Sequence, residues 1–292
     1  MAPKPLTQQM WGRRIARAMA LIAEDPSRTR SLEELAGAAA LSPCHFHRVY
    51  RAMTGETPAG TLSRERLARA AVILLREGVP VAAVARRCGY GSAAALTRAF
   101  RGAYGMPPAA YRAARGIGAA IPASPATHER EQHMFEVRIV EAPALRLAAL
   151  PHRGPYTGIG ATFGRLQAWA AARGLDLPGA RWIGLYQDDP ESVPAAQLRS
   201  EACVTVGPEA EAAEGVRILE LPASRVATLV FRGPYPELER AYAWLYREWL
   251  PGSGEEPADA PCREEYLNDP KTTPPAELLT AVQLPLRARV LA

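Results

Sequence analysis

The sequence lacks the features that would place the protein in a membrane or in an oxidising compartment. No apolar run approaches the roughly 20 residues that span a bilayer, and the N-terminus has no long apolar stretch of the kind found in signal peptides. The four cysteines, Cys44, Cys88, Cys203 and Cys262, lie far apart, and no pair has metal-ligand spacing. These absences predict a cytoplasmic protein with reduced thiols, without a metal site and without a membrane partner.

Groupings of residues that would indicate catalysis are also lacking. No Ser/His/Asp or Cys/His arrangement is visible in the chain, so nothing supplies a nucleophile together with its base. We therefore expect no catalytic residue and no cofactor, and the prediction is that the protein is not an enzyme.

Charge is divided unequally along the chain. Residues 1–115 contain 18 Lys and Arg against 7 Asp and Glu, whereas the rest of the chain contains 17 against 23. A basic segment joined to an acidic one indicates a polyanionic partner for the first part only. An Arg-rich composition without function is the alternative reading of the charge alone.

A pattern of helix, tight turn and helix occurs twice within the first 112 residues. The second helix of each copy covers residues 42–51 and 92–101, and each is followed by a glycine and a proline. A longer amphipathic stretch, Pro58 to Glu77, separates the two copies and predicts a stiff connecting helix. Two such units in one basic segment indicate an all-α domain that binds double-stranded DNA.

Local signals predict where several helices begin and end. The first helix is expected from Gln8 to Glu24, and Ser31 with Glu34 forms a capping box for the next one. Ser42 and Ser92 are predicted to cap the second helix of each copy.

Residues on the outward faces of these second helices are the candidates for contact with DNA. In the first unit they are Cys44, His47, Arg48 and Arg51, and in the second they are Ala93, Ala94, Thr97, Arg98 and Arg101. Arginine at a helix face contacts guanine edges or phosphates, whereas alanine meets only thymine methyl groups. We therefore expect Arg48 to contribute more to sequence reading than Arg98.

Residues 116–133 have no apolar period and are rich in turn formers, which predicts a linker between domains 1–115 and 134–292.

A second duplication follows the linker. Residues 144–156 match residues 223–235, each ending in Arg-Gly-Pro-Tyr, and later positions match at a spacing of 80. Each copy is predicted to be a β-α-β-β unit, and two such units form a pseudo-twofold α+β domain with a cleft along its internal axis.

The repeat relates the positions at the centre of this cleft. Glu264 lies two residues before Tyr266, and the matching positions in the first copy are Gly184 and Tyr186. Trp182, Tyr156 and Tyr235 are placed to line the cleft, and with Glu264, Tyr266 and Tyr186 they form the candidate effector site. A carboxylate among aromatic rings favours a cationic or hydrogen-bonding ligand. The alternative is an ordinary core in which Glu264 pairs with Arg263 or Arg181.

The two halves of the chain resemble known families. Residues 31–112 resemble the AraC/XylS transcription regulators at matching positions, which include Leu41, Phe46, Gly55, Tyr90 and Gly105. Residues 134–290 are similar to the GyrI-like effector-binding domains of drug-responsive regulators, through the two Arg-Gly-Pro-Tyr turns and residues 261–270. The resemblance implies that the acidic residue at position 264 faces an aromatic pocket.

Together these observations predict a transcription regulator whose C-terminal domain binds a small, apolar or cationic effector. Its partners would be duplex DNA, the effector and, if it activates transcription, RNA polymerase. Two other readings of the C-terminal domain are a small-molecule hydrolase, as some stand-alone relatives of the fold are, and a protein-interaction module.

Overall fold

The structure is a computed structural model that describes residues 5–120, 122, 135–175 and 179–288. The chain divides into a helical unit and an α+β unit. Most of the predicted linker, with His128 and His133, lies outside the described residues. None of the helices within these ranges is both long and apolar enough to cross a bilayer.

The helical unit contains seven helices in its described part. They are α1 (Pro5–Glu24), α2 (Leu32–Ala38), α3 (Pro43–Thr54), α4 (Pro58–Arg76), α5 (Val81–Arg87), α6 (Ala93–Tyr104) and α7 (Pro108–Ala113). Helix α1 begins three residues before the predicted start. The two predicted units correspond to α2–α3 and α5–α6, in which the predicted inward residues Phe46, Val49, Tyr50, Leu96 and Phe100 are buried and Ala99 is half-buried.

Two of the three predicted serine caps are confirmed. Ser31 and Glu34 form the reciprocal capping box of α2, and Ser92 Oγ accepts a hydrogen bond from the Ala95 N–H at 3.1 Å. The prediction for Ser42 is wrong in its detail: Ser42 occupies the cap position of α3, but its side chain makes no capping hydrogen bond. The Ser42 hydroxyl instead contacts Cys44 Sγ at 3.1 Å, and the Ser42 carbonyl accepts the His45 N–H.

Helix α4 separates the two units as a single 19-residue helix, about 28 Å long at 1.5 Å per residue. The Tyr50 hydroxyl of α3 bonds to Thr61 Oγ1 near its start at 2.7 Å. Near its end, the Arg112 guanidinium donates to the carbonyls of Leu74 and Val79 at 3.3 and 2.6 Å. The helix pairs α2–α3 and α5–α6 are therefore both attached to helix α4.

The helical fold continues past residue 115. The Ala120 N–H donates to the Tyr104 carbonyl at 2.9 Å, and Ala119 packs against the core around Phe100. The first residues of the predicted linker are thus part of the helical unit.

The α+β unit is built on one eight-stranded antiparallel sheet. Its strands are β1 (Arg138–Ala142), β2 (Leu145–Arg153), β3 (Trp182–Tyr186), β4 (Arg199–Thr205), β5 (Arg217–Leu221), β6 (Ser224–Arg232), β7 (Cys262–Tyr266) and β8 (Leu279–Pro285). The order across the sheet is β1-β6-β8-β7-β3-β4-β2-β5, so that the two copies meet where β3 pairs with β7. The predicted pseudo-twofold α+β domain is confirmed.

Each copy has a long helical segment, between β2 and β3 or between β6 and β7, and a short 3₁₀ turn between its last two strands, at Ala195–Gln197 and Pro275–Glu277. Helix α8 (Ile159–Ala171) serves the first copy, and the second has α9 (Leu238–Trp244), a π-helical turn at Leu245–Trp249 and α10 (Leu250–Ser253). The sequence predicted these helices over 162–172 and 237–249.

Each copy has one strand more than the predicted β-α-β-β unit. The additional strands, β1 and β5, lie at the two edges of the sheet and pair with β6 and β2 of the opposite copy. Four of the five β1 residues are exposed. An edge strand of this kind has few apolar residues that alternate with polar ones. It is therefore not predicted from the periodicity of apolar residues in the sequence.

The two Arg-Gly-Pro-Tyr turns are equivalent in structure as in sequence. Gly154 and Gly233 have φ angles of 128° and 146°, which side chains rarely adopt. Their N–H groups donate to the carbonyls of Leu198 and Leu278, both at 2.9 Å. Each turn therefore leads into the helix of its copy and fixes the tyrosine that follows it.

Candidate DNA-binding and effector-binding sites

The candidate DNA-reading residues lie on two helices of equal length and equivalent place. Helices α3 and α6 each have 12 residues, and both end at a glycine in the left-handed region. On α6, Ala94, Arg98 and Arg101 are exposed, and Ala93 and Thr97 are half-buried. On α3, four residues are half-buried, namely Cys44, His47, Arg48 and Arg51. Their contact with bases or phosphates stays a prediction.

The candidate effector site lies where the central strands of the two copies meet. Gly184 of β3 and Glu264 of β7 are directly opposite each other in the antiparallel register. Because they are also equivalent in the repeat, the internal axis passes between them. The two positions predicted to differ in charge are therefore neighbours at the centre of the domain.

The Glu264 carboxylate is buried, with 6% of the residue exposed, and is held by tyrosine hydroxyls. Tyr242 donates to Oε1 at 2.9 Å, and Tyr266 donates to Oε2 at 3.1 Å. The Tyr186 hydroxyl lies 2.6 Å from that of Tyr266. Since a phenol has one proton, an ionised Glu264 requires Tyr186 to donate to Tyr266.

Burial affects the acidity of every group in this network. It raises the pKa of Glu264 above its ordinary value, and the hydrogen bonds from Tyr242 and Tyr266 oppose that rise. Burial also raises the pKa values of Tyr186, Tyr242 and Tyr266 well above the usual range. The phenols therefore keep their protons at neutral pH and remain donors.

Gly184 provides the space that this network needs. A Cβ atom at Gly184 would lie 2.5 Å from Cε2 of Tyr186, because the Tyr186 ring turns back over the glycine. The absence of a side chain at Gly184 thus leaves room for the Tyr186 ring, whose hydroxyl reaches Tyr266 on the neighbouring strand β7.

Aromatic rings surround the network. Tyr156 stands edge-on to Tyr186 with centroids 4.8 Å apart, and Tyr235 stands edge-on to Tyr266 at 5.3 Å. Phe163 of α8 contacts Tyr266 at 5.3 Å and Trp182 at 6.3 Å. Apart from Tyr186, all these rings are partly exposed, so the carboxylate lies beneath a set of accessible ring surfaces. The six predicted effector residues are brought together.

The equivalent tyrosines Tyr156 and Tyr235 differ in what their hydroxyls do. The Tyr156 hydroxyl accepts the Asp188 N–H at 3.0 Å and lies 2.9 Å from the Asp188 carbonyl, and burial raises its pKa to about 12. No described residue makes a hydrogen bond with the Tyr235 hydroxyl. Tyr156 therefore anchors the Asp-Pro turn of its copy, whereas Tyr235 keeps a free polar group at the site.

The two pairings of Glu264 drawn from the sequence, with Arg181 and with Arg263, are not formed. Arg181 forms a two-point ion pair with Glu265, with both N–O distances at 2.7 Å. Arg263 donates to Ser224 Oγ at 3.1 Å. Residues 263 and 265 alternate with Glu264 along β7, so their side chains lie on the opposite face of the sheet.

Two residues of the site were missed in the sequence. Tyr242 and Phe163 are equivalent at the spacing of 79 that relates the two Arg-Gly-Pro-Tyr turns. Extending that spacing into the helices would have paired them, because both lie seven residues after the tyrosine of the turn.

One hydroxyl and imidazole pair is present in this unit. His152 Nδ1 lies 3.1 Å from Thr162 Oγ1, and its Nε2 lies 3.1 Å from the Pro155 carbonyl. Since a carbonyl only accepts, Nε2 donates to Pro155, and in the neutral imidazole Thr162 then donates to Nδ1. Thr162 is buried, so the pair holds the first Arg-Gly-Pro-Tyr turn against α8.

Comparison with known proteins agrees with this division of the chain. A model of the GyrI-like small molecule binding domain matches residues 135–287, and a model of a helix-turn-helix domain matches residues 35–114. A DNA gyrase inhibitor of Erwinia billingiae is 31% identical over 139 residues, which are 46% of this chain and 88% of that protein.

Two solved structures are similar to the separate halves. The DNA-binding domain of AdpA in complex with a target DNA is 37% identical, covers 34% of this chain and 90% of that one, and has a TM-score of 0.33. The C-terminal domain of EcmrR is 22% identical, covers 53% and 99%, and has a TM-score of 0.46. The chain belongs to the GyrI-like small-molecule binding domain family and joins that domain to an AraC-type helix-turn-helix DNA-binding domain.

Proposed function

We propose that this transcription regulator reads a specific duplex sequence with α3 and α6 and responds to an organic cation bound above Glu264. Cys44, His47, Arg48, Ala93, Ala94, Thr97 and Arg98 would face bases, and Arg51 and Arg101 would face phosphates. Glu264, Tyr266, Trp182, Tyr186, Tyr156 and Tyr235, together with Tyr242 and Phe163, would contact or position the effector.

The arrangement around Glu264 is the observation that supports an effector of this class. The carboxylate is buried, its partners within the α+β unit are neutral phenols, and none of the ion pairs among the described residues includes it. A buried carboxylate is costly unless its charge is compensated. A cation that lies against aromatic faces supplies both the opposite charge and a favourable ring contact.

Regulation requires the effector to bind two states of the protein with different affinity, since a ligand with equal affinity for both shifts nothing. If the response is activation, RNA polymerase is the expected further partner. Neither a hydrolytic activity nor a protein-binding role is part of this proposal, because no residue arrangement described above favours either.

The test compares the parent protein with Glu264→Gln. Titration calorimetry measures the affinities of a cationic aromatic ligand and of a neutral ligand of the same shape. The cation should bind the Gln variant at least tenfold more weakly, because removing one partner of a desolvated charge pair costs about 2–5 kcal/mol and each factor of ten in affinity is 1.4 kcal/mol. The neutral ligand and ligand-free DNA binding should change little.

Glu265→Gln is the matched control, because it removes a carboxylate from the same strand but on the other face of the sheet. Its affinity for the cation should equal that of the parent. Equal binding of the cation to the parent and to Glu264→Gln would show that Glu264 has only a structural role.

A further inference from the structure

The face of the sheet that points away from the effector site differs between the two copies. We call it the far face; it is formed by the residues that alternate with Glu264 on β7 and with Gly184 on β3, and by their neighbours on the other strands. In the first copy the far face carries an apolar core cluster, which includes Leu145, Leu147, Ala149, Ile183, Leu185 and Cys203. At five of the equivalent positions the second copy has a polar residue, namely Ser224, Thr228, Arg263, Glu265 and Gln283. One fold thus packs apolar residues in one copy and polar residues in the other.

The register of the strands brings most of these polar residues together. Arg263 of β7 is directly opposite Gln283 of β8, and Gln283 is directly opposite Thr228 of β6. The Arg263 guanidinium also donates from Nη2 to Ser224 Oγ at 3.1 Å. Directly opposite residues of an antiparallel pair point to the same face of the sheet. Two hydroxyl groups and an amide therefore lie on the same patch of the far face as the guanidinium.

Arg263 is a buried cation without an ion pair. Only 4% of the residue is exposed, and no other lysine or arginine in the described part of the chain is as buried. Its Nε and Nη1 atoms make no hydrogen bond with a described residue, and neither atom is fully enclosed, so both open onto the surface. Burial lowers the pKa of Arg263, and the positive charge of Arg181 lowers it further.

The charged groups nearest to Arg263 on the far face already have partners. Glu265, two residues along β7, forms the two-point ion pair with Arg181 and accepts a hydrogen bond from Gln283 Nε2 at 3.2 Å. Glu201 of β4 is paired with Arg217. The centre of the far face therefore carries one positive charge that no described residue compensates. Since a buried charge of this kind is costly, packing alone would favour isoleucine, the residue at the equivalent position 183.

We propose that Arg263 is the centre of a second binding site, on the far face, which takes a small carboxylate. A guanidinium offers two parallel N–H groups that match the two oxygens of a carboxylate. The Ser224 hydroxyl accepts from Arg263 and still has its own proton to donate. One negative charge balances the one uncompensated positive charge, whereas a dianion would also be repelled by Glu265. This site is separate from the effector site and does not rest on the proposed function.

The experiment measures thermal unfolding of the full-length protein with sodium benzoate as the probe. Benzamide, a neutral molecule of the same shape, and inorganic phosphate are the comparison ligands, all at one ionic strength. A ligand that binds only the folded state raises the melting temperature as its concentration rises above Kd. Benzoate should therefore raise the melting temperature of the parent by a few degrees. Benzamide should have no effect, and phosphate should have a smaller effect than benzoate.

Arg263→Ile gives position 263 the residue of its equivalent in the first copy. This variant should not respond to benzoate. Without ligand it should melt a few degrees above the parent, because an uncompensated buried charge is replaced by an apolar side chain. Arg263→Lys keeps the charge but loses the two-point geometry, so titration calorimetry should show several-fold weaker binding of benzoate.

Arg232→Ile is the control for a general effect of positive charge. It removes an exposed arginine of β6 from the same face of the sheet, and its response to benzoate should equal that of the parent.

Each outcome decides for or against the site. Loss of the benzoate response in Arg263→Ile, with its retention in Arg232→Ile, would support it. If benzoate does not stabilise the parent, or stabilises Arg263→Ile equally, the proposed site is wrong. A less stable Arg263→Ile together with an unresponsive parent would show that Arg263 only holds β7 to β6 through Ser224. A larger response to phosphate than to benzoate would overturn the assignment of a carboxylate. The effector proposal is tested separately, with cations at Glu264, and does not depend on these results.

Discussion

At the scale of single residues, the tyrosines of the two Arg-Gly-Pro-Tyr turns provide a matched pair. Tyr156→Phe removes a hydroxyl that is hydrogen-bonded to the Asp188 backbone, whereas Tyr235→Phe removes one without a described partner. Loss of a typical hydrogen bond costs about 1 kcal/mol. In thermal unfolding, the melting temperature of Tyr156→Phe should be about 2–4 °C below that of the parent. The melting temperature of Tyr235→Phe should be close to that of the parent. A larger loss at Tyr235 would contradict the assignment of the anchoring role to Tyr156.

The residues of the effector site were predictable where the repeat could be aligned. Glu264 follows from the family resemblance, Gly184, Tyr186 and Tyr266 follow from the spacing of 80, and the structure brings the four residues together. Tyr242 did not follow, because no signal in the helix alone separates a tyrosine that faces the sheet from one that faces solvent. Its contact with Glu264 depends on the angle at which the helix crosses the strands, which is a property of tertiary packing.

At the scale of elements, the caps of α3 and α6 provide a second comparison. Ser92→Ala removes the acceptor of the Ala95 N–H, and an N-cap loss of this kind typically costs about 1 kcal/mol. Ser42→Ala should cost less, because the Ser42 side chain makes no capping hydrogen bond. Urea unfolding of the two variants measures the difference. An equal loss would indicate that the Ser42 hydroxyl stabilises α3 by another route.

Prediction of elements from sequence succeeded for those that bury a face. Helices α1 to α6 and strands β2, β3, β6 and β7 have apolar residues at the period of their structure, and β4 and β8 follow the Asp-Pro turns. Strands β1 and β5 were missed because each forms by pairing with a strand of the opposite copy, and this pairing leaves no pattern in the sequence of the edge strand itself. The cap of α3 was misjudged because the sequence does not show that the Ser42 hydroxyl turns toward Cys44.

At the scale of the whole molecule, the uneven charge predicts how DNA binding depends on salt. With 18 Lys and Arg against 7 Asp and Glu in residues 1–115, several phosphates should be neutralised. The logarithm of affinity should then fall with the logarithm of salt concentration, with a slope of about −0.9 for each phosphate. Fluorescence anisotropy of the full-length protein on labelled duplexes measures this slope.

Substitution of the two exposed arginines of α6 separates phosphate contacts from base contacts in the same measurement. Arg101→Ala should reduce the magnitude of the slope by about 1 on any duplex if it contacts a phosphate, whereas Arg98→Ala should weaken binding mainly to the preferred sequence. Binding that is insensitive to salt would count against the assigned DNA-binding surface.

The exchange of edge strands between the two copies sets the order in which the chain can fold during synthesis. Arg138 at the start of β1 pairs with Thr228, and Leu145 of β2 pairs with Leu221. These pairings join distant parts of the chain, and such high contact order slows folding. Until β6 has left the ribosome, β1 has no partner, and so the first copy cannot complete its sheet alone. The α2–α3 and α5–α6 contacts, in comparison, join neighbouring segments and are available earlier. Biosynthesis therefore presents a folded helical part well before the effector domain can close its sheet.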